Sequence, residues 1–396
     1  MKELSQIARN VRASTTMSID AMFKQMKAEG ADVIGFAVGE PDFPTPDHIK
    51  AAGHEAIDKN NTRYTPASGT NALKAAVCRR MKEDLGIEYT TDQVVISSGA
   101  KHLLYLALRA LVDPGDEIIL PVPGYVSYYE LIKMVGGVPV LVQTTEEEGF
   151  KLTAEKLEGA ITDRTKAMIL NSPCNPTGMV YDRDQLKALT DVCVKKDIYI
   201  IADEIYYSLV YDGKPFTSIA SLGEEVTERL ILVNGVSKSY AMTGWRIGYA
   251  LTRPDIAKVM SSYVSHSTGS PCTISQYAAV TALESPQDQV ETMRQAFEER
   301  RNYMVERMNS IEGVRCTKPE GAFYVLMDLS AVLGKTLGGD LIRDDVDFAT
   351  AFLKQQGVAV VPGEGFGAPG YVRWSYATSM DNIRAGLDRL EQFLKG

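Results

Sequence analysis

TKAMILNSPCNPTGMVYDRDQLKALTDVCVKKDIYIIADEIY, residues 165–206, decides the fold of this chain. Its ends, TKAMIL and IYIIAD, are short apolar runs, and DQLKALTDVCVKK between them carries apolar residues at helical spacing. Strand, helix and strand in that order make a βαβ unit, whose two strands run parallel. The alternation continues in both directions. VVIS (94–97) precedes KHLLYLALRAL, DEIILP (116–121) precedes SYYELIKMVGG, and RLILVNG (229–235) follows. Runs that are apolar throughout predict strands covered on both faces, hence an α/β fold with a mostly parallel sheet and helices on both sides. Such sheets place ligand sites at the carboxyl ends of their strands.

The last third reads differently. A charged helix over about 287–311 leads into GAFYVLMDL, VAVVP and YVRWSYA and then a closing helix, the pattern of a smaller α+β domain. The first forty or so residues are expected to pack against it, with PDFPTP (41–46) as the connection. The expected division is 46–285 for the large domain, and 1–45 with 286–396 for the small one.

Bulk properties narrow the function. A chain of 396 residues that is 45% hydrophobic can build a substantial core. A net charge of -9 argues against a nucleic-acid partner, which needs a basic face. Cys78, Cys174, Cys193, Cys272 and Cys316 are scattered and form no CxxC pair, as expected of reduced thiols. His48, His54, His102 and His266 lack metal-ligand spacing, so no metal is expected. MKELSQIARNVRAS has no signal-peptide core, and no apolar run approaches the ~20 residues that span a bilayer. The expectation is a cytoplasmic protein with no membrane partner.

Chemistry concentrates at the predicted strand ends. Asp203 ends a buried strand, where a carboxylate either caps the next turn or meets a cation. Tyr206, three residues on, can enter the same crevice. Lys238, between Ser237 and Ser239 in NGVSKSYAMTGWRIGYA, is either a solvated lysine or a desolvated one. Desolvation lowers its pKa and makes it an imine-forming nucleophile. Arg246 nearby offers a fork for phosphate. Gly99, Ala100 and Lys101 lead a strand into a helix, a turn whose N–H groups can hold a phosphate. Tyr125 sits at a similar turn, either packing or stacking on a flat ligand. Asn175, in NSPCNPTG, is either a turn asparagine or an amide presented at a strand end. Arg373, within VRWSYATS, needs a carboxylate from the protein or from a ligand. Gly365, Gly367 and Gly370 match GxGxxG, but the run opens no helix and lacks a dinucleotide-binding context.

GEPDF, RYTPASGT, SGAK, NSPCNPTG, ADEIY, SKSYAMTGWRIG, GAFY and VRWSYATS occur in this order over nearly the whole chain. Together they resemble the class I aminotransferases of pyridoxal-phosphate fold type I, and the bacterial aspartate branch in particular. The resemblance implies pyridoxal 5'-phosphate on Lys238, with Asp203 at the pyridine nitrogen. It places Tyr206 and Asn175 at the ring oxygen and Tyr125 on the ring. Arg246 and the Gly99-Ala100-Lys101 turn hold the phosphate, and Ser237 also touches the cofactor. Arg373 and Gly39 receive the substrate α-carboxylate, in a pocket that Tyr125 and Asn175 share. Lys101, Ser14 and Thr16 meet the distal carboxylate of aspartate. Tyr64 reaches the phosphate of a neighbouring subunit, which implies a homodimer with shared active sites. The substrates implied are an amino acid and a 2-oxo acid, aspartate with 2-oxoglutarate first. Aromatic, prephenate or broad-specificity transamination and β-lyase chemistry are the alternatives. Cys174 and Tyr125 depart from the family, which often has asparagine and tryptophan there.

Overall fold

The structure, a computed structural model, describes residues 3, 5, 9, 11 and 16–395; at 16–18 and 20 it describes the backbone alone. Ser14, an expected substrate contact, lies outside the described residues. So does the side chain of Thr16, whose backbone opens the helix Thr16–Ala28.

The centre is a seven-stranded sheet of β1 (Val94–Ser97), β2 (Glu117–Val122), β3 (Val138–Gln143), β4 (Thr165–Asn171), β5 (Tyr199–Asp203), β6 (Leu230–Gly235) and β7 (Gly248–Leu251). Their spatial order is β1-β7-β6-β5-β4-β2-β3. Every neighbouring pair is parallel except those of β7, which runs against β1 and β6. Alternate side chains of one strand enter two cores. Met168 and Leu170 join the helices Asn71–Leu85 and Arg183–Lys196, while Ala167 and Ile169 join Ala100–Leu111 and Pro254–Ser267. This period-two sorting into two covered faces is why the strands read as unbroken apolar runs.

The apolar pattern did not mark β3 or β7. β3 is the edge strand; Val138 and Leu141 are exposed and Pro139 lies within it, so it lacks an unbroken buried run. β7 follows β6 too closely for a crossover helix, so it returns antiparallel. That return pins the loop 236–247, with Lys238 in it, at the carboxyl edge of the sheet.

A second, four-stranded sheet is antiparallel, in the order Val361–Pro362, Tyr371–Ser375, Tyr324–Asp328 and Arg315–Cys316. The helices Asp288–Asn309, Asp345–Gln356 and Met380–Lys395 share its core. Ile34–Gly35 pairs in parallel with Val358–Ala359, and Phe36 packs on Trp374 with ring centroids 4.7 Å apart. A Cβ on residue 386 would come within 2.4 Å of the Phe36 ring, so Gly386 lets that ring lie against the closing helix. All five cysteines are free. Among the described residues, no helix is long and apolar enough to cross a membrane.

Candidate active site

The carboxyl ends of β1, β2, β4, β5 and β6 converge on a cleft of about 730 Å³, which the second sheet closes from the other side. Gly39, Ala100, Lys101, Tyr125, Asn175, Asp203, Tyr206, Ser237, Lys238, Arg246 and Arg373 all line it. Tyr64 does not; it is 96% exposed, on the outside of the chain. Gly99 stands just behind the lining, against Arg246.

Asp203, Lys238 and Arg373 line the cleft without an ion-pair partner among the described residues. Asp203 ends β5, where the Tyr128 hydroxyl donates to it at 2.8 Å and the Ile205 N–H at 3.2 Å. Burial pushes its carboxyl up to about 6 against those two donors. The Ile205 contact is the turn cap that the sequence left open, and no ion pair reaches the carboxylate among the described residues. Lys238 donates from Nζ to the Gly39 carbonyl at 2.6 Å. Burial pushes its ammonium down to about 8, with Glu40 opposing. Arg373 points inward from its strand, donating to Asn175 Oδ1 at 3.0 Å and to the Ala37 carbonyl at 2.7 Å. Its guanidinium lies 4.4 Å from the Tyr324 ring centre and 4.9 Å from that of Phe366. Nε is buried without an acceptor, and burial lowers the group's pKa. Among the described residues no carboxylate pairs with Arg373.

Arg246 takes a left-handed backbone, φ 58°, and donates to the carbonyls of Thr243 at 2.9 Å and Ser98 at 3.2 Å. A Cβ on Gly99 would lie 2.3 Å from its Nη2. Glycine there lets the guanidinium rest on the turn that opens the helix Ala100–Leu111, whose first N–H groups have no intrahelical acceptor. Arginine beside a helix start is a cradle for a phosphate dianion. Lys101 is exposed at the cleft mouth, its Nζ 5.4 Å from the centre of the Tyr125 ring.

Tyr128, Tyr324, Glu40 and Phe366 also line the cleft, and the sequence singled out none of them. Tyr128 follows Tyr125 by three residues, one helical turn on, and that spacing was its available signal. Tyr324 lay unread inside GAFY. Among the described residues, no group of three or more His, Cys, Asp or Glu is placed to hold a metal.

The sequence model of the family described as aminotransferase class I and II matches residues 31–390. An aspartate aminotransferase of Bacillus sp. (strain YM-2) is 47% identical over 396 residues, covering 100% of both chains. An aspartate/prephenate aminotransferase of Cereibacter sphaeroides is 45% identical over 398 residues, again covering 100% of both. The crystal structure of an aspartate aminotransferase from Rhizobium meliloti superposes with a TM-score of 0.96 at 40% identity, over 100% of this chain and 99% of that one. Likeness of this extent reaches every strand end that builds the cleft, and this chain belongs to the class I and II aminotransferases, enzymes that transfer amino groups.

Proposed function

We propose that the enzyme moves the amino group of aspartate to 2-oxoglutarate in the cytoplasm, as a homodimer with pyridoxal 5'-phosphate held on Lys238. The observation that carries this reading is the convergence of Lys238, Asp203 and Arg373 in one cleft, with no ion pair between them or with any other described residue. Each has an unspent capacity. Lys238 has an amine neutral enough to attack a carbonyl, Asp203 a carboxylate awaiting a cation, and Arg373 free N–H groups awaiting a carboxylate. In this reading the cofactor lies on residues 46–285, and the substrate's α-carboxylate is met by the part made of 1–45 and 286–396.

When bound, the cofactor supplies an electron sink for the charge left as the substrate Cα loses its proton. Asp203 holds a proton at the pyridine nitrogen. Arg246, Ser237 and the Gly99–Lys101 turn grip the phosphate, and Tyr125 flanks the ring. Asn175 commits Oδ1 to Arg373, which leaves Nδ2 to donate to the ring oxygen beside Tyr206. Lys238 Nζ would take the Cα proton as base and, as acid, give it back two bonds away at the cofactor carbon beyond the nitrogen. Donor and acceptor acids use one site in turn, which gives ping-pong kinetics.

A panel of amino donors against 2-oxoglutarate tests the substrate. Prephenate enters it as an acceptor because the Cereibacter relative is named for it. The distal carboxylate of aspartate needs a second cation, and Lys101 is available at the mouth. Lys101→Ser is expected to lower kcat/KM for aspartate by about 1–3 kcal/mol, roughly 5- to 150-fold, and to change alanine or aromatic donors much less. An equal loss for all donors would assign Lys101 to the cofactor instead.

The near-complete exposure of Tyr64 suits a residue that serves a partner's site. Subunit exchange between Lys238→Ala and Tyr64→Phe proteins is expected to raise activity above both parents, to roughly a quarter of wild type. The mixed dimer then has one doubly altered site and one intact site. Exchange confirmed by mass labels without recovery would mean that each chain completes its own site.

A further inference from the structure

Tyr324 opens the strand Tyr324–Asp328, in which Leu326 faces Arg373 across the antiparallel pair. Two residues before Leu326, it shares that face and is the diagonal neighbour of Arg373. Its ring supports the guanidinium at 4.4 Å. Its hydroxyl turns the other way and meets the hydroxyl of Tyr206 at 2.9 Å, with both side chains buried. A Cβ on residue 39 would approach the same hydroxyl to 2.6 Å, so Gly39 is what leaves that oxygen its place. One side chain thus touches Arg373 of the second sheet, Tyr206 just beyond the end of β5, and the segment that carries Gly39.

A phenol has a single proton to give. In the Tyr206–Tyr324 pair either oxygen can be the donor. The reading above commits the Tyr206 proton to the ring oxygen of the cofactor, so the proton between the two oxygens has to be that of Tyr324. Burial holds the Tyr324 phenol up at about 12 and the Tyr206 phenol well above its usual value, so both keep their protons at working pH. A hydroxyl that accepts one hydrogen bond is a better donor in the next, most of all where water is excluded.

We propose that Tyr324 is a positioning residue: its hydroxyl donates to Tyr206 and so aims and strengthens Tyr206 as donor to the cofactor, while its ring seats Arg373 for the substrate carboxylate. The proposal rests on the roles given above to Lys238 and Tyr206. It separates two functions in one side chain, and two substitutions address them one at a time. Tyr324→Phe deletes the hydroxyl and keeps the ring. Tyr324→Leu deletes both.

The test follows the visible absorbance of each protein loaded with pyridoxal 5'-phosphate as pH is raised, with steady-state kinetics alongside. In Tyr324→Phe the spectral midpoint is expected to rise by about 0.5–1 pH unit, because the deprotonated ring oxygen loses part of its stabilisation. KM for amino acids should stay within about twofold while kcat falls. Tyr324→Leu should also raise KM for every amino donor by roughly fivefold or more, the ring under Arg373 being gone. Tyr206→Phe should raise the midpoint by itself, and adding Tyr324→Phe to it should raise it no further. An unchanged midpoint in Tyr324→Phe overturns the proposal. So does an additive shift in the double variant, which would place the hydroxyl's effect outside Tyr206. A wild-type protein that takes up no cofactor on Lys238 fails before any variant is compared, and the reading of the site then falls together with the proposal.

Discussion

Alanine at position 238 is expected to give a folded protein that fixes no cofactor and turns over at least about 10⁴-fold more slowly. On the proposed function two roles vanish together, the amine that bonds the cofactor and the base that moves the Cα proton. The fold should hardly register the change. Lys238 makes one hydrogen bond, to the Gly39 carbonyl, worth about 0.5–1.5 kcal/mol, and removing it also relieves the burial of a charge. An unfolding temperature within a few degrees of wild type, with the visible band gone, is the outcome to look for. The lowered pKa adds a pH signature. Only the neutral amine attacks a carbonyl, and burial places its midpoint at about 8. Cofactor uptake by the apoenzyme should therefore speed up about tenfold per pH unit below that midpoint and level off above it. A Lys238→Ala protein with wild-type turnover would end the mechanism, and uptake that is flat from pH 6 to 9 would show the amine is not the attacking group.

Arg373→Lys is expected to lower kcat/KM for every amino acid by about 2–5 kcal/mol, roughly 30-fold to several thousandfold. The guanidinium has five N–H groups, and the protein accepts from two of its nitrogens, through Asn175 and Ala37. The rest wait for a carboxylate in a place where burial already disfavours the charge. Lysine restores the charge without the paired fork, and its compact head cannot lie flat between Tyr324 and Phe366. A dicarboxylate such as succinate should raise the unfolding temperature of the wild type and raise it much less in the variant. Equal protection of both proteins would place the carboxylate elsewhere.

The sequence was most readable where burial and polarity conflict. Asp203, Lys238 and Arg373 stand out because charged side chains follow or interrupt apolar runs, and all three meet in the cleft. The central sheet was readable for the same reason, since strands covered on both faces leave no polar alternation. Two kinds of feature escaped. β3 lies at the edge with its outer face in solvent, and β7 is a four-residue return without a helix, so neither carries a full burial signal. Tyr128 and Tyr324 escaped because a buried tyrosine reads as packing until its hydroxyl has a partner. Those partners, Asp203 and Tyr206, lie 75 and 118 residues away. Asp203 was open between a turn cap and a partner for a cation; the Ile205 N–H supplies the cap, and with the Tyr128 hydroxyl it leaves the negative charge in place.

The bond between Arg373 and the Ala37 carbonyl sets a timetable for biosynthesis. Its partners are 336 residues apart. At ~5–20 residues per second, a ribosome makes Ala37 roughly 17–67 s before it makes Arg373. Within that interval the whole central sheet is completed, since β7 ends at Leu251. Ile34 and Phe36 must wait, because Val358, Trp374 and the closing helix that bury them come last. The nascent chain therefore completes the strand ends that carry Asp203 and Lys238 early and the strand that carries Arg373 at the very end. Through most of synthesis the apolar side chains of Ile34 and Phe36 lack the partners that bury them, the kind of segment that chaperones hold and that aggregation recruits.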